Sequence, residues 1–482
     1  MSAISGSYGG SGSRSRQWPQ YLLILLPLFV IYGLVAQGTL PSGRYQLLAY
    51  LMACVCLGIS LVSVQAGLLL IVFAAGVSPE FGVGTVSSLR FEDLMIPSVF
   101  GIWLMRQMSQ GGKFVPTRLK VPILVYLLIA AVSTLHNVGF ASLDGKTSFF
   151  IFFKYIEYLL LLTVVANLSK TERQIVAVIA AMMLSSLIAA AMGGYQHAAG
   201  LDWGSRATGP EGETANIYGG YLLFNLLLSF GLFVTCRKPG LKIVLVIFMA
   251  ILFYVCLRTL SRGSYIGLAA ALILMGILMD RRILIWVLLF LVAAPIFFPS
   301  DVANRLGTIV HVLPGTGVDA PPSWQAKTGA WSYLREEIFQ HPLLGMGVGA
   351  YPMGWVDNEY VKVALEVGLV GLLVWFWWVA RMLLIGWQNY LKARVWWHQG
   401  LSIGFVCGMA GLLVHAVGAT SLTAIRTMES LMITVGLMIA LANLIDRKAS
   451  MRKPERSAPL PGAVQEDLAG PPYRLVRLRR EA

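Results

Sequence analysis

Three arginines and a short run of acids carry the chemistry this sequence offers. Arg258 and Arg262 stand four apart in "LRTLSRGSYIG", and Arg206 lies upstream in "WGSRATGPEGETANIYGG". The spacing predicts that Arg258 and Arg262 share one face at a helix end. Two like charges on one face repel each other, and a shared anion would offset that. Arginine suits a phosphate because its planar fork grips two oxygens at once. Two readings therefore stand: a site for an anion rich in oxygens, or scattered anchors at a membrane interface.

The second group lies in "GWVDNEYVKVALEVGLVGLLVWFWW", residues 354–378. Asp357, Asn358, Glu359, Lys362 and Glu366 crowd the mouth of a helix whose remainder is wholly apolar. Ionised groups at the edge of a lipid-spanning helix are costly, so each needs a partner or a task. Asp357 stands where an N-cap would, and either caps the helix or acts as a catalytic base. Lys362 can pair with Glu359 and Glu366 at helical spacing, which reads as a structural ion pair. Lys154 and Glu157 in "FFIFFKYIEYLLLL" repeat that pattern, either structurally or lining a cavity.

The elements that must position these groups are membrane helices. The chain has 482 residues, of which 57% are hydrophobic and 12% charged, with mean hydropathy +0.71. Soluble domains carry about 25% charged residues. The apolar runs are near the roughly 20 residues a bilayer requires, with no period-2 alternation. An all-α polytopic membrane protein follows, and nucleic acid is not an expected partner.

Net charge is +14, and its placement sets the topology. "RQMSQGGKFVPTRLK", "SKTERQ", "CRKPGLK", "DRR", "YLKAR" and the tail from "DRKASMRK" are basic and read as cytoplasmic. One segment, "QLLAYLMACVCLGISLVSVQAGLLLIVFAAG", would be about 45 Å long as a single helix. Two short helices turning near Gly58–Gln65 keep every later basic loop inside. The expectation is about 14 spans, with 12 or 13 open, and both termini cytoplasmic. The divisions are a disordered tail over 1–17, helices 1 to 11 over 18–298, a long periplasmic loop over 299–357, helices 12 to 14 over 358–445, and a disordered basic tail over 446–482. The first span is "WPQYLLILLPLFVIYGLVAQ", retained and not a cleaved leader. The closing "YRLVRLRR" is a solvated tail or touches anionic headgroups.

The long loop should hold function. Trp324, Trp331, Tyr333 and Phe339 argue for a packed cap, helical over 324–340. "GMGVGAY" sets Gly345, Gly347 and Gly349 on alternate positions, but lacks the strand and soluble helix of a dinucleotide loop. These glycines allow either a ligand or another helix to approach closely. The five cysteines, Cys54, Cys56, Cys236, Cys256 and Cys407, have no CxxC spacing. His136, His197, His311, His341, His398 and His415 form no zinc pattern, so neither a metal nor a cofactor is expected.

In this order the pieces resemble the O-antigen ligase / Wzy-type polysaccharide polymerase superfamily, the Wzy_C-like membrane glycosyltransferases. The marks are "RATG" followed by "AN"; "LSRG" at a helix end; "W…HPLLGMGVGAY"; and "DNEYVKVALEVGLVGLL". They cover roughly the central half of the chain, 200–375. The resemblance implies transfer of a glycan from undecaprenyl diphosphate to an acceptor sugar hydroxyl at the periplasmic face of the bacterial inner membrane. Arg206, Arg258, Arg262 and Lys327 would hold the diphosphate, with Asp357 and Asn358 catalytic and Glu366, Lys362, Gly345 and Gly347 supporting. It also implies a metal-independent enzyme, with the cations standing in for Mg²⁺.

Two departures matter. Ligases of the superfamily look to have His-Asn where this chain has Asp357-Asn358, and an aspartate ionised at neutral pH can serve as base in its place. Relatives also favour arginine where Lys327 stands. The first departure favours a polymerase of exopolysaccharide or O-antigen repeats over a ligase onto lipid A core. A transporter or flippase of lipid-linked sugars is the reading from a different class, although no internal repeat supports it. Expected partners are the undecaprenyl-diphosphate-linked oligosaccharide, an acceptor glycan, membrane lipids, and flippase and chain-length regulator proteins.

Overall fold

The computed structural model describes residues 42–78, 81–83, 86–112, 114–140, 145–200, 206–210, 214–285, 288–289, 299–309, 322–351 and 356–452. The N-terminal tail, the span expected over 18–37, residues 290–298, His311 and the chain beyond 452 lie outside them. Among the described residues the elements in chain order are α1 (Ser42–Val62), α2 (Val64–Val77), β1 (Phe81–Val83), β2 (Val86–Leu89), α3 (Phe91–Ser109), α4 (Lys120–Phe140), α5 (Gly145–Leu168) and α6 (Glu172–Ala198). There follow α7 (Ala215–Thr235), α8 (Pro239–Arg258), α9 (Arg262–Leu278), α10 (Ser300–Gly307), α11 (Pro322–Gln340), α12 (Glu359–Lys392), α13 (Trp396–His415) and α14 (Ile425–Arg452). The chain is an all-α polytopic membrane protein with one small antiparallel hairpin, β1–β2, added between α2 and α3. Eight of these helices are long and apolar enough to cross a bilayer, and α2 and α9 are shorter apolar helices.

The long apolar segment near the start does break. Ser63 leaves helical geometry at φ −142° and its hydroxyl accepts the Ala66 amide at 3.3 Å, so α1 ends and α2 begins. Gly67 of α2 then rests on Ser60 of α1, and a Cβ at Gly67 would lie 2.0 Å from the Ser60 hydroxyl. This is the turn expected near Gly58–Gln65. At the far end, α14 continues helical to Arg452, past residue 445.

The centre of the bundle is α7 against α13, flanked by α14, and these three are the most enclosed of the eight candidate spans. Small residues bring α7 and α13 together: a Cβ on Gly231 would come 2.4 Å from the Gly400 carbonyl. Close backbone approach of this kind is how membrane helices gain packing where lipid offers no hydrophobic drive. Gly231→Val should therefore cost roughly 1–3 kcal/mol through overpacking, read as a lowered thermal midpoint in detergent.

Opposite ends of the bundle are tied separately. At one, Lys392 pairs with Asp446 at 2.9 Å, Lys448 with Glu172 at 2.5 Å, and Arg106 donates to the Leu61 carbonyl. At the other, the α12 amide of Glu359 bonds the Ala416 carbonyl after α13 at 2.9 Å. Ala207 bonds the Arg258 carbonyl there at 3.0 Å. The second end gathers the residues singled out above.

Candidate functional site

The turn joining α8 to α9 is built around Leu260, whose φ of +49° is the sole positive value at a non-glycine among the described residues. That conformation stops α8 at Arg258. Ser261 restarts the chain as the N-cap of α9, accepting the Ser264 amide at 3.3 Å. Arg258 and Arg262 therefore do not share a helix face: they sit on two helices either side of a tight reversal. Their surroundings differ accordingly. Arg258 is bonded to Asp301 of α10 at 2.8 Å and lies over the Tyr254 ring. Its charge is directed at a carboxylate of its own chain.

The turn carbonyls organise the other arginines. Arg258 O accepts from the Ala207 amide, Thr259 O from Arg206 Nε at 2.9 Å, and Leu260 O from Arg305 Nε at 3.0 Å. These carbonyls form the negative end of α8, which favours cations. Arg206 also donates to Asn216 Oδ1 at 2.8 Å, the "AN" entering α7. Arg262 feels the charge of both Arg206 and Arg305. Burial, and then Arg305 beside it, push the Arg206 guanidinium below its usual range. A multidentate anion among the three would relieve that repulsion. Arg305 was not singled out from the sequence, because one arginine in a polar loop carries no periodic or spacing signal.

The acidic segment resolves into separate roles. Asn358, not Asp357, caps α12: its side-chain oxygen accepts the amides of Tyr360 at 3.0 Å and Val361 at 3.2 Å. Asp357 instead meets Lys327 of α11, Oδ2 to Nζ 2.9 Å, and Lys327 also donates to the Gly418 carbonyl at 2.7 Å. Asp357 remains partly exposed, with 34% of its side-chain surface accessible, so a hydroxyl can reach it. Glu359 is buried and accepts the Leu422 amide at 3.0 Å. Lys362 bonds Thr423 at 3.1 Å and lies 3.9 Å from Glu366. Glu366 in turn accepts the Tyr155 hydroxyl at 3.0 Å and the Gly349 amide at 3.2 Å. Lys362 and Glu366 thus tie α12 to α5 and the glycine loop inside the bundle. They do not face the mouth.

Gly345 and Gly347 pack on a break in α12, while Gly349 lies against α5. Gly368 interrupts that helix at φ +72°, which frees backbone groups on both sides. Met346 N reaches the Leu365 carbonyl at 2.7 Å, Gly347 N the Glu366 carbonyl at 3.0 Å, and Leu369 N the Pro342 carbonyl at 2.8 Å. A Cβ at Gly345 would lie 2.5 Å from the Leu365 carbonyl, so the close approach is to a helix of the same chain. α11 is helical as expected, but it packs through Leu334 and Ile338, while Tyr333 and Phe339 point outward.

His415, at the end of α13, is a second residue that sequence reasoning did not place at the site. It is fully buried, with Nδ1 2.5 Å from the Ser421 hydroxyl, and its ring fills the space left by Gly220 and Gly263. Gly263 follows Arg262 directly, so the histidine buttresses the start of α9. A lone histidine ending an apolar helix gave no cue to that contact.

The geometry thus assembles, at one end of the bundle, guanidinium groups from three loops or helix ends beside a carboxylate–ammonium pair. No curated protein matches the chain. Residues 246–376 match the Wzy_C family, described as O-antigen ligase. That stretch contains Arg258, Arg262, Arg305, Lys327 and Asp357, and leaves Arg206 and His415 outside it. A membrane domain of this type acts on lipid-linked oligosaccharide and glycan substrates as a ligase or polymerase. That match spans about a quarter of the chain, and there the chain is similar to the O-antigen ligase/Wzy superfamily of membrane enzymes.

Proposed function

We propose that the protein polymerises exopolysaccharide or O-antigen repeat units at the periplasmic face of the bacterial inner membrane, from an undecaprenyl-diphosphate-linked donor. Arg206, Arg262 and Arg305 hold the diphosphate. Asp357 takes the proton of the acceptor hydroxyl as that oxygen attacks the anomeric carbon of the donor sugar. The bond from that carbon to the diphosphate oxygen breaks, and the leaving diphosphate carries away the electron pair. Guanidinium groups aimed at the oxygens where charge grows lower the barrier without reorganising. In this scheme no divalent metal is needed for the transfer step.

One observation carries the reading: Arg206 and Arg305 bond consecutive carbonyls of the turn that Arg262 follows, at the same end of the bundle as the Lys327–Asp357 pair. Lys327 occupies Oδ2 of Asp357, and the partly exposed carboxylate still meets an acceptor hydroxyl. A ligase that hands the glycan to lipid A core or another acceptor is the second reading, favoured by the description of the matched family. The chemistry is the same and only the acceptor differs.

Purified protein given a lipid-linked donor in EDTA should yield glycans of increasing length, sized on a gel. A single addition onto a core acceptor would select the ligase. Strict dependence on an added divalent ion would overturn the metal-free step, and transfer of intact donor across a vesicle without bond making would replace the enzyme with a transporter.

A further inference from the structure

A second polar cluster lies inside the bundle and takes no part in the site above. Lys154 of α5 contacts Asp93 of α3, and lies 3.3 Å from Glu157. Arg90, which precedes α3, is 3.8 Å from Glu92, and its amide donates to Asp93 at 2.9 Å. Into this group α14 projects Glu429. One carboxylate oxygen from each of Glu92, Asp93 and Glu429 lies within 4.8 Å of the others. Glu429 is completely buried, and neither of its carboxylate oxygens has a hydrogen-bond donor.

The charges do not balance. Among the described residues, four buried carboxylates, Glu92, Asp93, Glu157 and Glu429, gather around two buried cations, Arg90 and Lys154, with Arg426 one turn before Glu429 as the third buried cation nearby. Arg426 is also engaged elsewhere, donating to the carbonyls of Gly76 and Ser78 and stacking near Tyr221. A surplus negative charge in an apolar interior is strongly unfavourable unless something positive joins it. Oxygen-only ligands select a hard cation or a proton. A divalent ion would be repelled by the guanidinium of Arg90 and the ammonium of Lys154 beside it.

The geometry points to a buried site for one monovalent cation, sodium or a proton, held by Glu429 with Glu92 and Asp93 where α14 meets α3. It fastens three helices together and stands apart from the arginine cluster. The groups facing it are Arg90, Glu92 and Asp93 from α3 and its cap, Lys154, Glu157 and Tyr158 from α5, and Arg426 from α14. The charge on Glu429 is its free variable.

The full-length protein in detergent tests this by thermal unfolding. In choline chloride at about pH 8 the wild type should melt several degrees below its midpoint in NaCl of equal ionic strength, if sodium is the ion. If the proton is the ion, sodium does nothing and acidification to about pH 6 in choline restores the midpoint. Glu429→Gln should lose whichever response the wild type shows, and its midpoint in sodium-free buffer at high pH should equal or exceed the wild type's. Glu172→Gln, at the opposite end, should keep the wild-type response. A wild-type midpoint indifferent to both sodium and acid overturns the site, as does stabilisation by calcium or magnesium alone. Equal responses in Glu429→Gln and wild type also overturn it. The wild-type titrations decide even if that variant fails to fold.

Discussion

Arg262→Lys is expected to lower the turnover of glycan transfer by about a hundredfold, while the protein still inserts and folds. The lysine keeps the charge but loses the fork that holds two phosphoryl oxygens. Arg305→Lys should behave alike, since Arg305 forms the same cluster and touches the same turn. Arg258→Lys should cost less than tenfold, because its guanidinium is already engaged with Asp301. Steady-state transfer measured on the three variants, each checked for folding by its melting curve, separates these outcomes. Equal losses at Arg258 and Arg262 would mean that the arginines act as a uniform basic rim, and the diphosphate claw would be gone.

Asp357→Asn should abolish transfer, by roughly 10²–10⁴-fold, with donor affinity unchanged. The amide keeps the shape of the carboxylate but cannot take up the acceptor proton. Stability should hardly move, because Asn358 and not Asp357 satisfies the orphan amides of α12. The pairing with Lys327 is partly exposed, and pairs of that kind contribute about 0–1 kcal/mol. Turnover and donor binding measured together check this. Wild-type turnover would reduce Asp357 to a tether for α11, and a matching loss of donor affinity would move it from base to binding group.

The membrane architecture was legible because it is written in local terms. Apolar runs announce helices, and the alternation of basic loops implied a break near Ser63 that the backbone confirms. The arginines were legible as a group, yet their relation was not. Spacing of four suggested one helix face, whereas the left-handed backbone at Leu260 puts a reversal between Arg258 and Arg262. No side-chain pattern announces that conformation in a leucine. Arg305 and His415 were invisible for a related reason, since each acts through neighbours distant in sequence. Lys154 and Glu157 showed half of the buried cluster by helical spacing. Its other half, on α3 and α14, comes together only through packing.

The glycines of "GMGVGAY" teach the same lesson from the other side. Their small size was read correctly, but what Gly345 and Gly347 admit is the frayed backbone around Gly368, a residue well downstream.

That interruption has a mechanical consequence. Three main-chain bonds lace Pro342–Gly347 to both sides of the gap, so the stub carrying Asp357 cannot swing alone on its glycine pivot. The loop fixes the stub to the rest of α12 as one rigid unit. Any opening that admits a bulky sugar chain would bend elsewhere, and one residue inserted between Pro342 and Gly347 would throw all three rungs out of step.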